Sequence, residues 1–133
     1  MDSLNIAAIL KRQRAFVAER KWQPFHTPKN VSMALCGEAA ELLELFQWLT
    51  PAESKKIMTD ARKAEAVSHE IADVFFYLVR LADLLGVDLE SAFLDKMRHN
   101  EAKYPVKYAR GNAKKYHELL ISKGLNPRKR PAS

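Results

Sequence analysis

Four carboxylates carry the most chemical information in this 133-residue chain. Glu38 and Glu41 are three residues apart, and so are Glu70 and Asp73. On a helix that spacing puts both members of a pair on one face. Each pair lies in an apolar setting. Met33-Ala34-Leu35-Cys36 precedes the first, while Ile71 and Val74-Phe75-Phe76-Tyr77-Leu78 surround the second. A single ExxE pair usually marks a solvated helix face. Two pairs inside apolar helices bring a buried site level with a solvated face that has lysines opposite, because a carboxylate buried without a partner costs several kcal/mol. Facing pairs would also repel. Divalent cations resolve both problems, and an all-oxygen ligand set selects Mg²⁺, with Mn²⁺ the alternative, over zinc. Mg²⁺ shares its coordination shell readily with phosphates, so the expected ligand is a nucleotide. Glu44, three residues beyond Glu41, reads as a surface acid.

Aromatic residues extend the same stripes. Trp48 follows Glu41 by seven residues, and Tyr77 follows Glu70 by seven. Seven residues of helix rise about 10.5 Å, comparable to the reach from a nucleotide's phosphates to its base. Rings placed there can stack on a base, with Trp22 and His26 closing the other side. Taken singly, each ring reads as core. Further along, Lys96, Asn100 and Lys103 share a helical face, with Tyr104 adjacent. They suit phosphate oxygens or, without the acids, a solvated basic stripe.

The elements that position these groups are helical throughout. Apolar residues recur at helical spacing, strand-like alternation is absent, and only four glycines occur. A first helix is expected from a Ser3 cap to about Arg20, with Leu4, Ala7, Ala8, Phe16 and Val17 as its apolar stripe. Pro24 and Pro28 make residues 21–29 an ordered loop. Asn30 is expected to cap a second helix over Val31 to Leu49. Thr50-Pro51 starts a short helix to about Met58. A long helix then runs from Asp60 to Leu85, stopped by Gly86. Asp88 caps a last helix, Leu89 to Tyr104, closed by Pro105. The sum is an all-α bundle of four to five helices over residues 1–105. The remainder, 106–133, reads as a basic tail, partly packed through Tyr108, Tyr116, Leu119, Leu120 and Ile121. Its last stretch, Asn126 to Ser133, is expected to be disordered.

The chain resembles the MazG-like, all-α NTP pyrophosphatases, and within them the dCTP pyrophosphatase branch. The family pattern EExxE, spacer, ExxD is matched by Gly37-Glu38-Ala39-Ala40-Glu41 and Glu70-Ile71-Ala72-Asp73. Glu19-Arg20-Lys21-Trp22, Phe25-His26-Thr27-Pro28-Lys29-Asn30, Leu45-Phe46-Gln47-Trp48 and Lys96 to Pro105 extend the likeness, which covers residues 4 to 117. Glycine replaces the first Glu of EExxE, as it does in much of that branch. Lys103 stands where arginine is common, which weakens bidentate phosphate contact. The resemblance implies that Glu38, Glu41, Glu70 and Asp73 ligate magnesium. It assigns Trp22, His26, Trp48 and Tyr77 to the base side and Lys96, Asn100 and Tyr104 to the phosphates. It also implies a homotetramer built as a dimer of dimers. The expected reaction is Mg²⁺-dependent hydrolysis of dCTP or a related, modified dNTP to monophosphate and pyrophosphate. Glu38 or Glu41 would handle the attacking water, and Lys96 the leaving group.

Composition narrows the rivals. Apolar residues at 47% and charged residues at 29% describe one globular domain. No run suits a membrane span, and Met1-Asp2-Ser3 does not begin a signal peptide, so a cytoplasmic setting is expected. Cys36, the sole cysteine, reads as a reduced, buried thiol. The net charge of +6 is concentrated after Lys103, where nine lysines and arginines, Lys103 included, face one acid, Glu118. That tail leaves a non-catalytic nucleotide- or nucleic-acid-binding helical protein as the alternative. The acids set in apolar helices argue against a nucleic-acid role. A di-iron carboxylate protein needs Glu-x-x-His motifs, whereas Glu65 and His69 are four apart.

Overall fold

In a computed structural model, residues 3–125 are described, so the expectation for Asn126 to Ser133 lies outside them. All regular structure there is helical: seven α-helices and two 3₁₀ turns. This corrects the expected four to five helices. The additional ones are short segments, two of which lie in the stretch read as tail. Chain contacts divide the protein into two compact units, Met1–Val87 and Asp88–Ser133.

The first unit contains α1 (Ile6–Glu19), a 3₁₀ turn (Gln23–Phe25), α2 (Pro28–Glu44), α3 (Pro51–Ser54), a second 3₁₀ turn (Ile57–Thr59) and α4 (Ala61–Leu85). Asn5, not Ser3, caps α1, its side chain accepting from the Ala8 N–H at 3.0 Å. At the other end Lys21 takes a left-handed φ of 52°. The Lys21 N–H then reaches the Ala18 carbonyl, and the Trp22 N–H reaches Val17, both at 3.0 Å. These paired bonds satisfy the last carbonyls of the helix and fix where Trp22 leaves it.

Helix α2 starts earlier than expected because Thr27-Pro28 forms the same cap-then-proline start as Thr50-Pro51. Asn30 instead donates its side-chain amide to the Phe25 carbonyl at 3.0 Å, tying the loop to the helix. The helix also ends early, at Glu44, and the chain tightens through i→i+3 turns at Leu45 and Phe46. Asp60 caps α4 by accepting from Arg62 and Lys63, and Gly86 ends it at a φ of 64°.

Helix α2 packs along α4, and α1 also rests on α4. The buried core is Val17, Val31, Ile57, Val67, Val79 and Ala82, joined by the polar Gln13 and Arg80. Each valine sealed this way contributes about 1.5–3 kcal/mol. Much apolar surface stays uncovered, including Trp48 at 87% exposure, Phe25, Met33, Leu43 and Ile71. Cys36 is exposed, not buried. It sits about 100° around α2 from the half-buried Leu35, off the face turned to α4.

The second unit contains α5 (Leu89–Lys103), α6 (Val106–Ala109) and α7 (Tyr116–Ser122). Asp88 caps α5, accepting from the Ser91 N–H at 2.7 Å. Leu119 is sealed at 1% exposure, while Ile121 stays exposed. The rings of Tyr104 and Tyr116 meet edge to face at 6.2 Å. Lys103 lies over the Tyr116 ring, and Lys107 and Lys123 over Tyr108, so part of the basic charge rests on aromatic faces. Among the described residues no helix is long and apolar enough to cross a membrane.

Candidate functional site

The contact between α2 and α4 brings the two acidic pairs together. Glu38 and Glu41 lie in the last turns of α2, and Glu70 and Asp73 near the middle of α4. Glu38, Glu41 and Glu70 each offer a carboxylate oxygen, and these oxygens all lie within 4.8 Å of one another. Asp73 falls outside that tight group. It is still close enough to act on Glu38, whose carboxyl is pushed above its ordinary range by burial, then by Glu41, Asp73 and Glu70 in turn. Glu70 has its Oε2 buried with no hydrogen-bond partner. Three converging carboxylates and an orphaned oxygen are a donor set that suits a hard divalent cation.

Beside the acids lies a pocket of about 580 Å³, lined by Ile9, Arg12, Gln13, Phe16, Trp22, Glu38, Ala72, Asp73, Phe75, Phe76 and Tyr77. Carboxylates therefore share a wall with aromatic rings. Trp22 meets Phe16 edge to face at 5.6 Å, and Phe16 meets Phe76 at 6.1 Å. The Tyr77 hydroxyl is pushed up by burial and by the charges of Glu38 and Asp73. A cavity of this size, apolar with a few polar groups, fits a small organic ligand.

Of the expected base-side residues, Trp22 and Tyr77 line this pocket. His26 stands against both, its ring 6.2 Å from Trp22 and 6.5 Å from Tyr77. Trp48 is not gathered with them. Because α2 stops at Glu44, Trp48 lies in the following turn, and the two-turn rise counted from Glu41 does not apply to it. Lys96 and Asn100 are on α5, and Tyr104 is its C-cap, all in the second unit.

Gln13 and Arg80 were not singled out from the sequence. Gln13 is 5% exposed and donates its Nε2 to the Phe76 carbonyl at 2.7 Å, while its Oε1 is buried without a partner. The signal was present. Ile9, Gln13 and Phe16 follow i, i+4, i+7, so a polar residue occupies a core-facing register. Arg80 is 6% exposed and bonds His26 and Asp83. It likewise interrupts the apolar run of α4.

Comparison with known proteins agrees with this geometry. The model of the MazG-like family matches residues 33–119. The chain is similar to dCTP pyrophosphatase 1 of Homo sapiens, at 46% identity over 104 residues, and of Rattus norvegicus, at 45%. These matches cover 78% of this chain but 61% of each relative, so the chain spans about three fifths of their length. Among solved structures, a pyrophosphatase from Archaeoglobus fulgidus superposes with a TM-score of 0.71 at 37% identity, covering 79% of this chain and 96% of that one. The family match over most of the chain, with the likeness to the archaeal pyrophosphatase, shows that the protein belongs to the MazG-like family.

Proposed function

We propose that this protein is a Mg²⁺-dependent nucleoside triphosphate pyrophosphohydrolase acting on dCTP or a closely related dNTP. The observation that carries the reading is the meeting of Glu38, Glu41 and Glu70 oxygens within 4.8 Å at the edge of an aromatic pocket. Neither half alone would suffice. An acidic cluster without a pocket is a surface feature, and an apolar pocket without acids has no hold on a triphosphate.

Glu38, Glu41, Glu70 and Asp73 are the residues that would hold the metal. Once bound, Mg²⁺ supplies charge neutralisation at the phosphates and a water of lowered pKa. The protein's own part is positional. Glu38 or Glu41 orients the attacking water and takes its proton. Trp22 and Tyr77 bracket the base beside the acids, with His26 at the margin; Trp48, exposed in the turn after α2, would join that side only from a neighbouring subunit. Lys96, Asn100 and Tyr104, from this or a neighbouring subunit, meet phosphate oxygens and offset charge on the leaving pyrophosphate.

The exposed apolar side chains of the first unit favour assembly into a homo-oligomer; the dimer-of-dimers form and the cytoplasmic setting are proposed from the family resemblance alone. Light scattering is expected to give a multiple of the 15.2 kDa chain mass, and a monomer would oppose this. The function is tested with a panel of nucleoside triphosphates, pyrophosphate release and Mg²⁺ dependence being followed. Asp73→Asn is expected to lose activity by a factor of about 10² or more with the helical spectrum unchanged. Full activity of that variant would remove Asp73 from the site, and no hydrolysis of any nucleotide by the native chain would refute the enzyme reading.

A further inference from the structure

A chain of polar contacts runs from the surface of α1 to His26. Arg14 on α1 holds Asp83 on α4 through two nitrogens, Nε and Nη2, with the Arg14 Nε 3.0 Å from Asp83 Oδ2. Asp83 Oδ2 also accepts from Arg80 Nη1 at 3.3 Å. Arg80 then donates its Nε–H to Nδ1 of His26 at 3.2 Å. Arg80 and Asp83 have side chains only 8% and 12% exposed, so water competes little for these bonds.

The chemistry of the last bond is restrictive. An arginine has donors and no acceptor. Nδ1 of His26 must therefore carry a lone pair and no proton. A neutral ring in that state has its proton on Nε2, and a charged ring would set one N–H against another. Burial of the ring and the nearby Arg80 charge both favour the neutral form. The backbone around His26 is held as well. Its own N–H reaches the Trp22 carbonyl at 3.2 Å, and Thr27 behind it caps α2.

We propose that Arg80 is a positioning residue, which with Asp83 and Arg14 fixes His26 as the neutral Nε2–H tautomer, so that the ring offers one hydrogen-bond donor to an acceptor oxygen on the nucleoside part of the substrate. The Arg80 half stands on the contacts alone. The substrate half rests on the proposed function, because it is the rings beside His26, Trp22 and Tyr77, that line the pocket. A uracil, cytosine or thymine carbonyl or a sugar oxygen supplies such an acceptor, whereas a second donor would be rejected.

Two measurements test this on the whole 133-residue chain. The first is ¹⁵N-resolved NMR of the four imidazoles, with His26 assigned by its loss in His26→Gln. The charged groups around the ring are Arg80 and Asp83 on α4 and, through Asp83, Arg14 on α1. At pH 6, where an ordinary histidine is mostly charged, the native ring is expected to be the neutral Nε2–H form. Arg80→Met is expected to release it to protonate, while Arg80→Lys, which keeps a donor, retains much of the native signature. A native His26 that is charged at pH 6, or protonated on Nδ1, overturns the proposal. The second measurement is steady-state hydrolysis of dCTP. Arg80→Met is expected to raise KM about tenfold with kcat within about twofold, the size of one lost hydrogen bond. In a His26→Ala background the same change should do nothing further. Additive effects, or an unchanged KM, overturn the substrate half. A 2′,3′-dideoxy analogue of dCTP separates the two acceptors, since the Arg80 effect vanishes with it only if the 3′ oxygen is the partner. If the native chain hydrolyses no nucleotide, the functional reading fails with the substrate half, and the NMR result still decides the role of Arg80.

Discussion

Replacing Glu41 by glutamine should make the metal-free protein more stable and the enzyme inactive. Glu38, Glu41 and Glu70 hold three oxygens within 4.8 Å. Two like charges at that separation repel by about 1 kcal/mol at the dielectric of water and by about 3 at an effective value of 20. Glu41 is exposed, so the lower figure applies to its two pairs. Removing its charge relieves about 1–2 kcal/mol, or a rise of about 3–8 °C in Tm for a domain of this size. The native protein should gain that stability, and more, from the ion itself: about 2.7 kcal/mol when Mg²⁺ stands at a hundred times its Kd. The sign with pH follows from Glu38, whose carboxyl lies above its ordinary value of 4.5. A raised carboxyl contributes stability that is full below the ordinary value and is lost as pH rises through the raised one. The metal-free native protein should therefore weaken across that window, and Glu41→Gln should flatten the loss. Thermal melts in EDTA and in Mg²⁺, from pH 4 to 8, read every arm, with pyrophosphate release alongside. If Glu41→Gln melts lower in EDTA, or keeps the full Mg²⁺ gain, the three oxygens do not share an ion.

Three other changes have defined outcomes. Gln13→Leu removes the amide that donates to the Phe76 carbonyl between α1 and α4 and should cost about 1 kcal/mol by urea melts. Asp83→Asn strips Arg80 of its anion and should cost about 2–3 kcal/mol by urea melts. Since bonding to Arg14 holds the Asp83 carboxyl below its ordinary 3.8, its contribution is present above that value and fades as pH falls through the depressed one, so the variant and native curves should converge in acid. Thr50→Ala breaks the capping box in which Thr50 and Glu53 satisfy each other's backbone N–H. It should cost about 1 kcal/mol.

The long helices and the facing acids were legible because each rests on a local signal. Asp60, Gly86 and Asp88 bound their helices with side chains or conformations that act within one turn. The i, i+3 spacing of the acids needs only that their segments be helical. The misplacements came where two local signals competed. Pro28 reads as a loop residue and Asn30 as the cap of α2, whereas Thr27 caps it, because proline suits the first helical position and has no N–H to leave unpaired. Trp48 seemed to share the Glu41 stripe only while the helix was extended past Glu44. Gln13 and Arg80 escaped notice for another reason. A polar residue in an apolar register has no meaning until its partner is known. The partners, the Phe76 carbonyl and His26, lie 63 and 54 positions away in the chain. Spacing reveals which side chains share a helix face, whereas a hydrogen bond between elements is fixed by packing. The polar groups buried between helices are thus where the structure adds most to the sequence. Both of them bear on the pocket, one in its wall and one through His26 at its margin.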